Sequence, residues 1–337
     1  MSDRYTRTVL VTGGAGFIGS HLCERLLEEG ARVLCVDNFS TGRRENVRHL
    51  LDEPGFTLTE ADLVEPLYLP DRLDVVFHLA SAASPVDYLR MPVETLEAGS
   101  LGTRHALALA ERSGARMVLA STSEVYGDPL EYPQRESYWG NVNPVGPRSV
   151  YDESKRYAES LTMAHNRARG TDVGIARIFN CYGPRLRPDD GRVIPTFINQ
   201  ALSGEPLTVA GTGHQTRSVC YVDDTVRGLL ALADSDGAGP VNIGSDEELT
   251  VLGLAEYVRN FTGSRSEIDF VPRPADDPVH RRPDLSLATS LLGWRPEIRL
   301  KEGIRRTVEH FVEERTRVAD GSPGASATAV GADGEGT

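Results

Sequence analysis

Short, uniformly apolar runs alternate with longer amphipathic stretches through the first half of the chain. TVLVTGG (8–14), ARVLCVD (31–37), DVVFHLA (74–80), ARMVLAS (115–121) and DVGIARIFN (172–180) have the length and character of strands buried on both faces. Between them, HLCERLLEE (21–29), TLEAGSLGTRHALALAERSG (95–114) and YDESKRYAESLTMAHNRAR (151–169) repeat their apolar positions at helical spacing. Strands that alternate with helices form a parallel sheet, because each crossover helix must pack back over it.

After residue 180 the alternation weakens and prolines cluster, as in PRLRPDDGRVIP (184–195) and PRPADDPVHRRP (272–283). VIPTFINQALSG (193–204), DDTVRGLLALADS (223–235) and LTVLGLAEYVRNFTG (249–263) still read as helices. The expected organisation is a dinucleotide-type domain over 1–180 and a smaller substrate lobe over 181–317, interleaved with the last pieces of the sheet. Residues 318–337, VADGSPGASATAVGADGEGT, lack an apolar period and are expected to form a disordered tail.

A net charge of −13 argues against general nucleic-acid binding and against an anionic membrane surface. The first residues carry no apolar core ahead of a cleavage site, and no run of 18 apolar residues occurs, so neither export nor a membrane span is expected. The four cysteines, Cys23, Cys35, Cys181 and Cys220, form no C-x-x-C pair and read as buried free thiols, with no metal site. A cytoplasmic enzyme fits these features.

TVLVTGGAGFIGSHLCERLL places a glycine-rich turn between a strand and a helix, with Gly13, Gly16 and Gly19 spaced by three. Gly14-x-Gly16-x-x-Gly19 matches the dinucleotide pattern: glycines permit the tight turn and let backbone N–H groups approach a pyrophosphate at the positive helix end. The second strand ends at Asp37, 18 residues after Gly19, where a carboxylate can take the ribose hydroxyls. Together they predict a Rossmann-type doubly wound sheet that binds a dinucleotide. Asp37 favours NAD, because a 2′-phosphate would meet its charge; Arg43 and Arg44 could accept such a phosphate or be solvated loop charges. Asp62, after a further strand, could contact the adenine or simply close a turn.

Tyr151 and Lys155 lie four apart on one helix face, and only two lysines occur in the chain. An ammonium beside a phenol favours the phenolate, which makes a base near neutrality. The strand ARMVLA runs into Ser121, Thr122, Ser123 and Glu124, a polar cluster that reads as a reaction centre once that pair is included.

GGAGFIG, STSEVYG and YDESK together resemble the extended short-chain dehydrogenase/reductase superfamily. Within it, VDNFSTGRRENV (36–47), ASPVDY (83–88), YWGNVNPVGPRSVYDESKR (138–156), ARIFNCYGPR (176–185), QTRSVCYVDD (215–224) and RRPDL (281–285) are similar to UDP-glucuronate decarboxylases, also called UDP-xylose synthases. The likeness runs from about residue 7 to 312. It implies a tightly bound NAD, a UDP-sugar substrate and a homodimer paired through helices 95–114 and 151–169. The implied reaction oxidises C4 of UDP-glucuronate, releases CO2 from the 4-keto acid and reduces the product to UDP-xylose. The alternatives are 4-epimerisation or 4,6-dehydration of another nucleotide sugar on the same fold.

The resemblance also implies the site. The cofactor would meet Gly13, Gly16, Phe17, Ile18, Gly19, Asp37, Asn38, Thr41, Gly42, Asp62, Leu63, Leu79, Ala80, Tyr151 and Lys155. Tyr151, Lys155, Thr122, Ser123, Glu124 and Arg281 would carry the chemistry. Asn180, Arg185, Arg192, Gln215, Arg217 and Arg281 would hold the substrate, with Arg217 the preferred phosphate ligand because a guanidinium fork matches phosphate oxygens. 4,6-Dehydratases of the superfamily typically carry an aspartate where Ser123 stands. Their departing hydroxide needs an acid, whereas CO2 leaves as a neutral molecule. The chain departs from the decarboxylase pattern at Glu94 and Gly99, where lysine and asparagine are usual. Ser154 likewise stands where glycine is common. A glutamate close to the uronate carboxylate would repel it by about 1–4 kcal/mol.

Overall fold

The computed structural model describes residues 5–69, 72–274 and 276–319. Six strands come from the first half: β1 (Thr8–Thr12), β2 (Arg32–Asp37), β3 (Phe56–Glu60), β4 (Val75–His78), β5 (Arg116–Thr122) and β6 (Val173–Ile178). A seventh, Pro240–Ile243, joins from the second half, giving the order Pro240–Ile243, β6, β5, β4, β1, β2, β3. Every pairing in this sheet is parallel.

The pleat sorts the core. Val9 and Val11 of β1 face the cluster that includes Leu22 and Leu26, while Leu10 between them faces Leu107 and Ala110 on the other side. Because both faces are covered, these strands read as continuous apolar runs rather than alternating ones. The chain runs one way from β1 through β2 to β3 and the other way from β4 through β5 to β6. The crevice between the carboxyl ends of β1 and β4 is therefore the topological switch point.

The helices that frame this crevice are α1 (Phe17–Glu28), α2 (Pro85–Arg90), α3 (Pro92–Glu97), α4 (Thr103–Ser113), α5 (Ser149–Arg169) and α6 (Val193–Ser203). The helix expected over 95–114 is instead two, α3 and α4, joined by a wide π-helical turn, Ala98–Gly102. Pro92 starts α3 where its missing N–H costs nothing. The helix Leu300–Ala319, absent from the sequence reading, takes in the first two residues of the expected tail; the rest of that expectation lies outside the described residues.

Candidate active site

The glycine turn after β1 is packed to contact. A Cβ on Gly19 would lie 2.1 Å from the Gly13 carbonyl oxygen, and one on Gly13, at φ +69°, would lie 2.8 Å from the Ala80 nitrogen. α1 begins at Gly16 with no side-chain cap and no acidic residue in its first turn, so its N–H groups and positive end face outward unopposed. This cradle fits a dinucleotide pyrophosphate. Asp37 closes it: its carboxylate accepts from the Ala15 N–H at 2.9 Å and the Phe39 N–H at 2.8 Å. Gly42 backs the same carboxylate, since a Cβ there would come within 2.6 Å of Asp37 Oδ1.

Asn38 donates to Asp62 at 2.9 Å, which holds the two polar side chains of the rim together. Arg44 is paired with Glu60 and Arg43 with Glu314, and neither lines the crevice. Both have carboxylate partners, so the adenosine end retains the acidic character that suits NAD.

The whole crevice, cradle included, has a volume of about 440 Å³, and Thr122, Ser123, Glu124, Tyr151, Lys155, Asn180, Arg192 and Arg281 line it as well. Strand β5 ends here, and a short 3-10 turn, Ser123–Tyr126, presents Glu124. Tyr151 and Lys155 both lie buried on the first turns of α5.

The electrostatics differ from the simple expectation for a Tyr–Lys pair. Lys155 donates to the Ala120 carbonyl at 2.9 Å, and its Nζ lies 5.9 Å from the centre of the Tyr151 ring. Burial lowers its pKa to about 8 against the pull of Glu159. Burial pushes the Tyr151 phenol up to about 12, opposed by a hydrogen bond with Thr122 and by the charge of Arg192. Desolvation outweighs the nearby cations, so in this state the phenol keeps its proton at neutral pH.

Glu124 is the most tightly held group. Arg281 binds it with both nitrogens, at 2.6 and 2.7 Å, and Arg148 adds a contact at 2.8 Å. Burial opposes ionisation, yet Arg281 and then Arg148 hold the carboxyl down at about 2. Asp152, buried one turn beyond Arg148, has an Oδ1 without a hydrogen-bond partner. Burial and then the charge of Glu124 push it up to about 7.

The residues expected to hold substrate divide into groups. Asn180, Arg185 and Arg192 line the crevice with Arg281. Arg185 is bonded to Glu24 of α1 at 2.5 Å, and Arg192 donates to the Ala83 carbonyl at 2.9 Å. Gln215 and Arg217 are buried outside the lining: Gln215 donates to the Ala210 carbonyl, and Arg217 forks onto Asp277 with both contacts at 2.9 Å. Glu94 stands on α3 at the lip, solvent-exposed.

Three site residues escaped the sequence reading. Arg148 shares the Glu124 carboxylate; its signal was a position three residues before Tyr151 at the start of the same helix. Tyr88 stacks on Tyr151, with ring centres 5.2 Å apart and planes within 4°. Arg187 lines the cavity and pairs with Asp87 at 2.5 Å. Tyr88 had only its place in the family-like segment ASPVDY as a signal, and Arg187 had none beyond residue type.

A switch-point cradle leading to a buried Tyr, Lys and carboxylate defines a dinucleotide-dependent enzyme that moves protons and electrons on a bound substrate. Residues 9–244 match the NAD dependent epimerase/dehydratase family, and the chain belongs to it. It is 49% identical over 314 residues to UDP-glucuronic acid decarboxylase 1 of Danio rerio, covering 93% of this chain and 75% of that protein. Among solved structures, UDP-glucose 4-epimerase of Thermotoga maritima with UDP-glucose superposes with a TM-score of 0.85 at 30% identity, covering 91% of this chain and 99% of that one. UDP-glucuronic acid 4-epimerase of Bacillus cereus, in complex with UDP-glucuronic acid and NAD, gives a TM-score of 0.81 at 27% identity, with coverage of 91% and 99%.

Proposed function

We infer that this enzyme converts UDP-glucuronate to UDP-xylose and CO2 with NAD as a regenerated cofactor. One observation carries the choice of reaction: the carboxylate at the reacting end, Glu124, is locked in its ionised form by two arginines, with a serine rather than an acid beside it. Expelling a hydroxide needs a proton donor there, whereas losing CO2 does not. The decarboxylase name of the Danio rerio relative points the same way.

NAD, which the glycine turn and Asp37 would hold, would supply the capacity for reversible oxidation at C4. Tyr151 holds its proton in the cofactor-free state, and the positive charge of an oxidised nicotinamide bound beside it would favour the phenolate that takes the proton of the 4-hydroxyl. Thr122 hydrogen-bonds the 4-oxygen, and Lys155 anchors the pair against β5. The ketone then stands β to the carboxylate, so the C5–CO2 bond can break with its electron pair entering the C4–C5 enolate. Glu124 has no proton to give near neutral pH, so it and its partner Arg281 order the water that protonates C5. Tyr151 returns its proton to the 4-oxygen. In sum, UDP-glucuronate and one proton become UDP-xylose and CO2.

Asn180 and Arg192 are assigned to the substrate by their place in the cavity. Arg185 sits beside α1; Arg217 reaches the diphosphate only by giving up Asp277, and Gln215 only by giving up the Ala210 carbonyl. The division into a cofactor part, 1–180, and a substrate part, 181–317, belongs to the same reading, with Pro240–Ile243 tying the second to the sheet. Pairing of two copies along the helices of 95–114 and 151–169 is supported by the exposed Leu96 on α3 and Tyr157 on α5. A cytoplasmic setting accords with four buried free thiols. No helix among the described residues is long and apolar enough to cross a membrane.

Incubation with UDP-glucuronate and NAD, followed by mass detection of the sugar nucleotide, tests the reaction. UDP-pentose with equimolar CO2 is expected. Recovery of an isomer of unchanged mass would establish a 4-epimerase instead, and loss of water would establish a dehydratase.

A further inference from the structure

The π-helical turn Ala98–Gly102 packs against α5, and Gly99 makes a close approach there. A Cβ there would lie 2.6 Å from Ser154 Cβ, 2.9 Å from the Ser154 carbonyl oxygen and 3.1 Å from its carbonyl carbon. Two of those three atoms are backbone, which no rotamer change can move aside. Gly102, in the same turn, is different: a Cβ there would meet nothing nearer than Leu63 Cβ at 3.8 Å and His78 Cε1 at 3.9 Å, ordinary contact. Of the two glycines, packing requires only Gly99.

Ser154 lies between Tyr151 and Lys155 on α5, fully packed, with its hydroxyl donating to the Tyr151 carbonyl at 2.7 Å. The separation between the turn and Ser154 therefore sets how deeply the start of α5 sits against β5. That depth decides whether the Tyr151 hydroxyl meets Thr122 and whether Lys155 reaches the Ala120 carbonyl. Gly99 itself does not line the crevice.

We propose that Gly99 is a positioning residue for proton transfer: its missing side chain lets the π turn seat on the Ser154 backbone and so places Tyr151 and Lys155 against the end of β5. This rests on Tyr151 and Lys155 being the proton-transfer pair. It also accounts for Gly99 and Ser154 departing together from the decarboxylase pattern, since a larger residue at 99 and a side chain at 154 compete for one space.

The test compares Gly99→Ala, Gly102→Ala, Ser154→Gly and the double variant Gly99→Ala/Ser154→Gly. Turnover, KM for UDP-glucuronate and the pH dependence of kcat are measured on the NAD-loaded enzyme. Gly102→Ala should stay within about threefold of the wild type, while Gly99→Ala should lose about 30-fold or more in kcat with KM nearly unchanged, as small misplacements of reacting groups do. Its kcat profile should move to higher pH, because the Thr122 bond that lowers the Tyr151 pKa is stretched. The double variant should recover part of the loss, since the 2.6 Å contact is removed and the backbone contacts remain. Equal effects at 99 and 102, or a double variant worse than Gly99→Ala, would overturn the proposal.

If Gly99→Ala is not recovered folded, Ser154→Gly decides: a severalfold fall in kcat at constant KM supports it and an unchanged kcat overturns it. Failure of the underlying pair looks different, because Tyr151→Phe would then retain turnover. A wild-type enzyme inactive on UDP-glucuronate would overturn the assigned reaction alone.

Discussion

Glu124 and Arg281 stand 157 positions apart in the chain and meet in a two-pronged ion pair at 2.6 and 2.7 Å, deep in the crevice. Arg148 joins the same carboxylate, so one acid holds together the end of β5, the start of α5 and the segment before the helix Ser286–Leu292. The pair serves geometry and charge together: it orders the reacting end and leaves no proton on Glu124.

Replacing Glu124 with glutamine keeps the shape and removes the charge. We expect kcat to fall by about 100-fold or more, the scale of a lost charged group at a reacting centre. Steady-state kinetics and the distribution of UDP-4-keto and UDP-xylose products would check it.

Tyr151→Phe should lower turnover by roughly 10³-fold or more, within the range of general acid–base contributions. NAD binding, followed by fluorescence or by cofactor retained after gel filtration, should persist because the phenol hydroxyl is a small part of the cofactor surface.

Stability should depend on pH from both sides. The folded pKa of Glu124 lies below its unfolded value, so its contribution is present above about pH 4.5 and is lost as pH falls toward about 2. Asp152 is the reverse: its folded pKa of about 7 lies above the unfolded value, so its contribution is present below about pH 4 and is lost as pH rises through 7. Asp152→Asn should therefore flatten the decline in Tm between pH 5 and about 8; a slope equal to that of the wild type would contradict it.

Gly19→Ala should abolish NAD binding or folding, since its Cβ would stand 2.1 Å from a backbone oxygen. Gly16→Ala, with a nearest approach of 3.1 Å, should weaken binding far less. Cofactor titration of the two variants separates them.

Glu94→Lys should change KM for UDP-glucuronate by less than about fivefold. Glu94 is exposed at the lip of the crevice, where solvent screens its charge and single interactions are worth about 1 kcal/mol or less. A much larger gain would show that this position meets the uronate carboxylate directly.

Local pattern determined a large part of this protein. Apolar runs bounded by turn residues placed five of the strands, and Gly13, Gly16, Gly19 and Asp37 announced the cofactor crevice, because backbone approach and ribose recognition depend on residues adjacent in the chain. Tyr151 and Lys155 were legible because one helix carries both. Pro240–Ile243 was not, since a four-residue edge strand has too little length to show a period. Only the tertiary structure decided the charge state of the site. Arg281 and Arg148 reach Glu124 from distant segments, Arg217 turns to Asp277, and burial overrides the cations around Tyr151. Ion pairing and desolvation depend on what the fold brings together and shuts away from water, and neither is written in the spacing of residues along the chain.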